Sequence, residues 1–294
     1  MRDSSYKESV TQRLSNEGRR LGVDPNVIIK RFAFQRLLAR FATDPRWVLK
    51  GGYAMELRLG LHARTTKDLD LVVHGIQNGL TAVAVQDLID EVLDQDLGDR
   101  VTFRVGLPKT ATADGNAGET WRVVTRALLD NSEICSVRLD VMTNAVDMGD
   151  TADRLRVEPT LPELQGCEAV TIAAIDPNQQ AAEKLHACAR TYAHDRPSSR
   201  VKDLVDLVLL VEAGLLVSKR LGDALRRVFD ARDGRLPPRS LPNPPDFWRT
   251  SYEQMAAELR LEASKYDDAI ALISGTYQRA LIHVPGDINS NGKE

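Results

Sequence analysis

Lys50-Gly51-Gly52, followed a dozen residues on by Arg64-Thr65-Thr66-Lys67-Asp68-Leu69-Asp70, is the stretch on which the fold turns. Asp68 and Asp70 are two apart, so in an extended segment both side chains leave the same face. Adjacent carboxylates repel, and at neutral pH a cation between them relieves the repulsion. Mg²⁺ or Mn²⁺ suits such hard oxygen ligands. Taken alone, an Asp-x-Asp is weak evidence, since most such pairs are exposed strand edges or helix caps. The context adds to it. Trp47-Val48-Leu49 reads as a strand, 53–59 as a short helix, and the two glycines lie between them. Glycines at such a place let backbone N–H groups approach a phosphate, and a helix N-terminus favours its charge. A plain strand–helix turn uses the same two residues.

A third acid lies further on, in Ser136-Val137-Arg138-Leu139-Asp140-Val141-Met142, where Arg138, Asp140 and Met142 alternate with apolar residues. An acid amid apolar strand residues is costly to bury unless it is paired or holds a metal. A neighbouring strand would bring Asp140 beside Asp68 and Asp70. Three carboxylates around two divalent ions suit in-line attack at the α-phosphorus of a nucleoside triphosphate.

Outward from this centre, 5–21 reads as a polar helix and 25–41 as a more apolar one, with Asp24 as N-cap and Pro25 in its first turn. Periodicity predicts a helix over 80–97 and strands over 101–105, 121–128, 134–142 and 170–174. The stretch 110–118 reads as a loop or hairpin tip. From Pro177 the texture turns helical, over 178–192, 201–213, 218 to about 230 (with Ser218 as N-cap), 251–263 and 266–282. Prolines 237, 238, 242, 244 and 245 mark an irregular connection. The fold class expected is α/β (α+β), a mixed sheet flanked by helices over 1–175 with an all-helical lobe over 176–294.

With 294 residues, 43% of them hydrophobic and 28% charged, the chain falls in the ordinary class of globular proteins with room for two cores. The longest apolar runs, such as 207–211, are too short to cross a bilayer, and the residues after Met1 lack the apolar stretch of a secretory signal. Cys135, Cys167 and Cys188 are odd in number and widely spaced, which fits a reducing compartment. A cytoplasmic protein is expected. The formal charge of −3 conceals a basic stretch over 218–240, where seven basic residues meet three acids. Lys219, Arg220, Arg226 and Arg227 suit a phosphate-rich partner, although a solvated helix face carries the same composition. Lys30, Arg31, Arg36 and Arg40 form a second candidate surface for such a partner, a nucleic-acid backbone included.

The combination of Gly-Gly, Arg-x-Thr-x-Asp-x-Asp and a later strand aspartate resembles the polymerase-β nucleotidyltransferase superfamily. Within it, Glu183-Lys184-Leu185-His186-Ala187 and Lys202-Asp203-Leu204-Val205-Asp206-Leu207 are similar to the AbiEii toxin family, which includes the mycobacterial MenT-type toxins. The resemblance runs from about Trp47 to Glu212. It implies that Asp68, Asp70 and Asp140 bind Mg²⁺ or Mn²⁺ and that Lys184 contacts the triphosphate. By the same resemblance Asp206 orients that lysine or joins the site, and Gly51, Gly52, Arg64 and Thr66 help to hold the nucleotide. Gly52 stands where relatives often carry serine, so the phosphate grip would rest on backbone groups. The implied activity is transfer of a nucleoside monophosphate to an RNA end, the 3′ terminus of tRNA, by a toxin restrained by a cognate antitoxin. Read without the family, Lys184 fits a snorkelling surface lysine and Asp206 a helical ion pair with Lys202. His186 and His194 show no ligand spacing.

Overall fold

A computed structural model of the chain describes residues 3–60, 66–76, 79–111, 119–143, 152–189 and 200–284. Two compact units divide it. The first comprises Met1–Arg58, Thr65–Ala145 and Ala152–Ile175, and the second Leu59–Arg64, Val146–Thr151 and Asp176–Glu294.

The first unit opens with α1 (Asp3–Leu21) and α2 (Pro25–Phe41). The Asp24 side chain accepts the Asn26 N–H, and Pro25 fills the position whose N–H a helix would leave unused. Then come β1 (Trp47–Lys50), α3 (Gly51–Leu59), β2 (Asp68–Val73), α4 (Ala82–Leu93), β3 (Val101–Val105), β4 (Lys109–Ala111), β5 (Glu119–Leu129), β6 (Ser132–Thr143), β7 (Ala152–Val157) and β8 (Val170–Ile175). The strands form one mixed sheet in the order β3-β5-β6-β2-β1-β8-β7, with β4 on β5. The pairs β2–β6 and β1–β8 are parallel, and the others antiparallel. One face is closed by α2 and α4. Leu69, Leu71, Val123, Leu139 and Val141 are fully buried on it, and burial of such side chains contributes about 1.5–3 kcal/mol each.

Several local expectations shift. The helix expected over 80–97 runs only from Ala82 to Leu93, because Thr81 accepts the Ala84 N–H and caps it. Part of the loop read over 110–118 pairs as β4, since Lys109–Ala111 finds an open edge of β5; the rest lies outside the described residues. β7 was not anticipated. Its sequence Ala152-Asp153-Arg154-Leu155-Arg156-Val157 is too charged to read as a strand, yet charge is what protects a sheet edge from further pairing.

Arg36 and Arg40 are corrected outright: they are core residues, not an RNA-binding surface. Arg40 is 1% exposed and grips Asp99 through two bonds of 3.0 Å, and its Nη2 also donates to the Val101 carbonyl at 2.6 Å. Arg36 donates to the Gly166 carbonyl at 2.6 Å and lies 3.6 Å from the same carboxylate.

The second unit is helical: α5 (Pro177–Ala189), α6 (Val201–Glu212), α7 (Ser218–Asp233), a single 3-10 turn Asp246–Trp248, α8 (Arg249–Leu259) and α9 (Tyr266–Leu281). Leu221, Ala224, Leu225 and Val228 recur at helical spacing and bury one stripe of α7, which leaves Lys219, Arg220 and Arg226 exposed while Arg227 and Arg232 are half-buried. Ser218 is the first residue of that helix and not its cap; Val217 holds the cap position without a side-chain bond. No helix among the described residues is long and apolar enough to cross a membrane.

Candidate active site

β2 and β6 run side by side in a register that sets Asp68 opposite Arg138 and Asp70 opposite Asp140. Directly paired residues share a face of the sheet, so Asp68, Asp70 and Asp140 stand together on the face opposite Leu69, Leu71, Leu139 and Val141. Asp70 also pairs with Lys50 of β1, immediately before the glycines.

Gly51 and Gly52 prove to be the opening residues of α3 itself, rather than a turn ahead of a helix starting at Tyr53. Gly51 has φ +66, and a Cβ there would lie 1.9 Å from Asp70 Oδ2. Both the backbone conformation and the space demand glycine. The Asp70 carboxylate thus rests on the N-terminal end of α3, where the helix dipole favours negative charge. Gly52 abuts the Thr66 side chain, whose Oγ1 would be 2.9 Å from an added Cβ. Where a serine at position 52 would have brought a hydroxyl, Thr66 brings one from the other side. Its hydroxyl donates to the Asp68 carbonyl at 3.2 Å, and its N–H donates to the buried Glu56 at 3.3 Å. Glu56 in turn binds Arg31 at 2.6 Å. Lys30, Arg31, Glu56, Thr66 and Lys67 line a cavity of about 320 Å³ with Phe34 in its wall.

Gly51→Ala is therefore expected to force Asp70 aside. On the expectation that Asp70 is a cation ligand of a transferase, activity should fall about a hundredfold, the effect of displacing such a group by an ångström. Steady-state kinetics checks this, and an activity within twofold of wild type would contradict the geometry.

Two arginines flank the acids. Arg122 on β5 pairs with Asp140 and grips it through bonds of 2.9 and 2.7 Å. The bond to Asp140, aided by the charges of Asp140, Asp68 and Asp70, raises the Arg122 pKa above its ordinary value. Arg138 lies 3.3 Å from Asp68. Among the described residues no three His, Cys, Asp or Glu side chains are gathered closely enough to hold a metal ion as they stand. The donor set nonetheless fits divalent-cation chemistry, being three hard-oxygen carboxylates on neighbouring strands. The guanidiniums supply the positive charge that such a cluster requires, and both are about half exposed. Arg122 escaped the sequence reading, because only strand register places it opposite Asp140.

In the second unit, Lys184 Nζ lies 2.8 Å from Asp203 Oδ1 and 2.8 Å from Asp206 Oδ2. Burial works against its charge, but the two carboxylates outweigh it and raise the lysine pKa well above normal. This triad replaces the surface readings of Lys184 and Asp206. Asp203 was not singled out from the sequence, although its spacing of three from Asp206 puts both on one side of α6. His186 is buried, 3.1 Å from Asp233 and edge-on to Phe229. On α7, Lys219 and Arg226 are exposed, Arg220 lies 3.7 Å from Asp176, and Arg227 donates to Gln179 at 3.2 Å. Arg64 and His194 lie outside the described residues.

With this geometry in hand, comparison with known proteins is informative. The profile of one family, described as nucleotidyl transferase AbiEii toxin of type IV toxin–antitoxin systems, matches residues 33–272. Among solved structures, MenT4, a nucleotidyltransferase toxin from Mycobacterium tuberculosis H37Rv, is similar with a TM-score of 0.51 and 17% identity, over 95% of this chain and 90% of that one. At that identity the likeness speaks for the fold. A nucleotidyltransferase-like antigen from Paracoccidioides brasiliensis gives a TM-score of 0.39 and 14% identity, over 81% of this chain and 96% of that one. The polyadenylate synthase of Megavirus gives 0.37 and 10%, over 73% of this chain and 37% of that one. No curated protein sequence matches. Since the profile extends across most of the residues, from the middle of α2 to the middle of α9, the chain belongs to the AbiEii family of nucleotidyltransferase toxins from toxin–antitoxin systems.

Proposed function

We propose that this toxin transfers a nucleoside monophosphate from an NTP to the 3′ end of tRNA, in a reaction that depends on Mg²⁺ or Mn²⁺, and so blocks translation. The observation that carries the chemistry is the β2–β6 register, which sets Asp140 beside Asp70 on the face that Asp68 shares. Asp68, Asp70 and Asp140 would hold the cations. Bound there, divalent ions would neutralise the triphosphate and polarise its α-phosphorus.

The remaining roles fall to the chain's own groups. Gly51 and Gly52 present the N-terminus of α3 to phosphate, with the Thr66 hydroxyl beside them. Asp140 is the candidate base for the acceptor hydroxyl. Lys184 is assigned to the triphosphate; Asp203 and Asp206 keep it protonated and fix its direction. Arg64 is assigned to phosphate from the motif alone. Lys219, Arg220, Arg226 and Arg227 are assigned to RNA contact, and the first three are the better placed because they are exposed whereas Arg227 is half-buried against Gln179. Family membership supports a cognate antitoxin as the restraining partner, and a cytoplasmic site of action follows from a tRNA substrate.

The test is incubation of the full-length protein with each labelled NTP, Mg²⁺ and total tRNA. Label on tRNA, abolished by chelation of the metal or by periodate oxidation of the RNA 3′ end, is the expected result. Absence of label under every NTP would overturn the tRNA assignment. Label on protein, with tRNA untouched, would instead favour nucleotidylation of a protein hydroxyl.

A further inference from the structure

The acids stand on β2 and β6 in the middle of the sheet, and from them the same face continues outward through β5 to β3, where it is dominated by arginine. Strand register fixes its membership. Arg122 opposes Asp140, Val124 opposes Arg138, and Arg104 of β3 opposes Arg126 of β5; Lys109 of β4 opposes Arg122. All but Asp140 are exposed, Val124 by 53%.

Two like charges directly opposed across a ladder destabilise the sheet. Arg104 and Arg126 form such a pair, and the fold does little to relieve it. Arg126 has Glu133 only at 4.0 Å, with both side chains at least half exposed. Among the described residues no ion pair is seen for Arg104 or Lys109. The face is an open sheet, whereas small-molecule sites are concave. With strands about 4.8 Å apart, the row from β2 to β3 spans roughly 14 Å. An extended polyanion suits this shape, and one already implied for the neighbouring acids is the RNA acceptor.

We propose that Arg104, Arg126 and Lys109, with Val124 among them, bind the sugar–phosphate backbone of the RNA acceptor and lead its 3′ end to Asp68, Asp70 and Asp140. This rests on the reading of the acceptor as RNA. The face carries no aromatic ring among the described residues, so it holds phosphates and does not stack bases. Binding through it is tolerant of sequence and sensitive to salt.

The test is fluorescence anisotropy of a 5′-labelled RNA of acceptor-stem sequence with the full chain, without NTP, for wild type and for the double variant Arg104→Ala/Arg126→Ala. Both positions are exposed, and a thermal melt establishes that the variant folds. The expected result is a Kd raised at least tenfold, with the slope of log K against log salt shallower by about 1.4–1.8, the value for two lost phosphate contacts. The KM for NTP in the transfer assay should stay unchanged. Unaltered affinity and slope, failure of the wild type to bind RNA, or a loss confined to Lys219→Ala/Arg226→Ala would each overturn the proposal. The two readings fail separately. Arginine-dependent RNA binding with label on protein keeps this surface and removes the tRNA reaction. Labelling of tRNA by the double variant with the wild-type KM for tRNA removes the surface and keeps the reaction.

Discussion

Replacing Asp70 by asparagine is expected to lower nucleotidyl transfer by a factor of about 10³ or more, because cation-mediated stabilisation of a phosphoryl transition state amounts to several kcal/mol. The substitution keeps the size of the side chain that rests on Gly51, so the α3 turn stays in place. Cooperative melting and circular dichroism should therefore match wild type, which separates lost chemistry from lost fold. Asp70 is the more telling of the paired acids. It touches the helix start on one side and faces Asp140 on the other, so its charge is central to whatever the cluster holds. A variant retaining a tenth of wild-type activity would show that Asp70 is not a cation ligand, and the assignment of Asp68 would fall with it.

Asp99→Asn is expected to have the largest effect on stability, about 3–5 kcal/mol, the usual result of removing one partner from a buried ion pair. The carboxylate is 2% exposed and serves Arg40 through two bonds, Arg36 at 3.6 Å and the Val101 N–H at 3.0 Å. Asparagine keeps the shape but leaves two buried guanidiniums without their shared countercharge. Arg40 also lies 5.1 Å from the centre of the Phe103 ring, which cannot replace a carboxylate. Urea titration reads the change directly. A loss under 1 kcal/mol would mean that water or neighbouring carbonyls carry the guanidinium charge, since surface pairs contribute only about that much.

The two halves of this picture were unequally legible in the sequence. β2 could be read because its carboxylates alternate with Leu69 and Leu71, and alternation is local information. β6 could be read for the same reason, and Asp140 stood out as an acid among apolar neighbours. The N-terminus of α2 was legible from Asp24 and Pro25, whose capping chemistry needs no tertiary context. What escaped depends on partners distant in sequence. Arg36 and Arg40 look like surface cations on the otherwise apolar helix α2 until Asp99, some sixty residues later, is folded against them. Arg122 and Arg104 reveal nothing until register sets one against Asp140 and the other against Arg126. β7 was missed because an edge strand is selected for charge, and charge hides the pattern by which strands are found. Asp203 lay within a motif already in view, but its hold on Lys184 needed α5 and α6 to be packed together.

A strand pair repeats every two residues, so a slip of one would turn Asp140 inward and Leu139 out. The buried leucines of β2 and β6 consequently act as an alignment gauge for the acids on the opposite face. Their hydrophobic burial is what holds one aspartate level with the other, and on the proposed reading a polar group introduced on that hidden side would blunt the toxin by spoiling the match between strands while leaving Asp68, Asp70 and Asp140 in the chain.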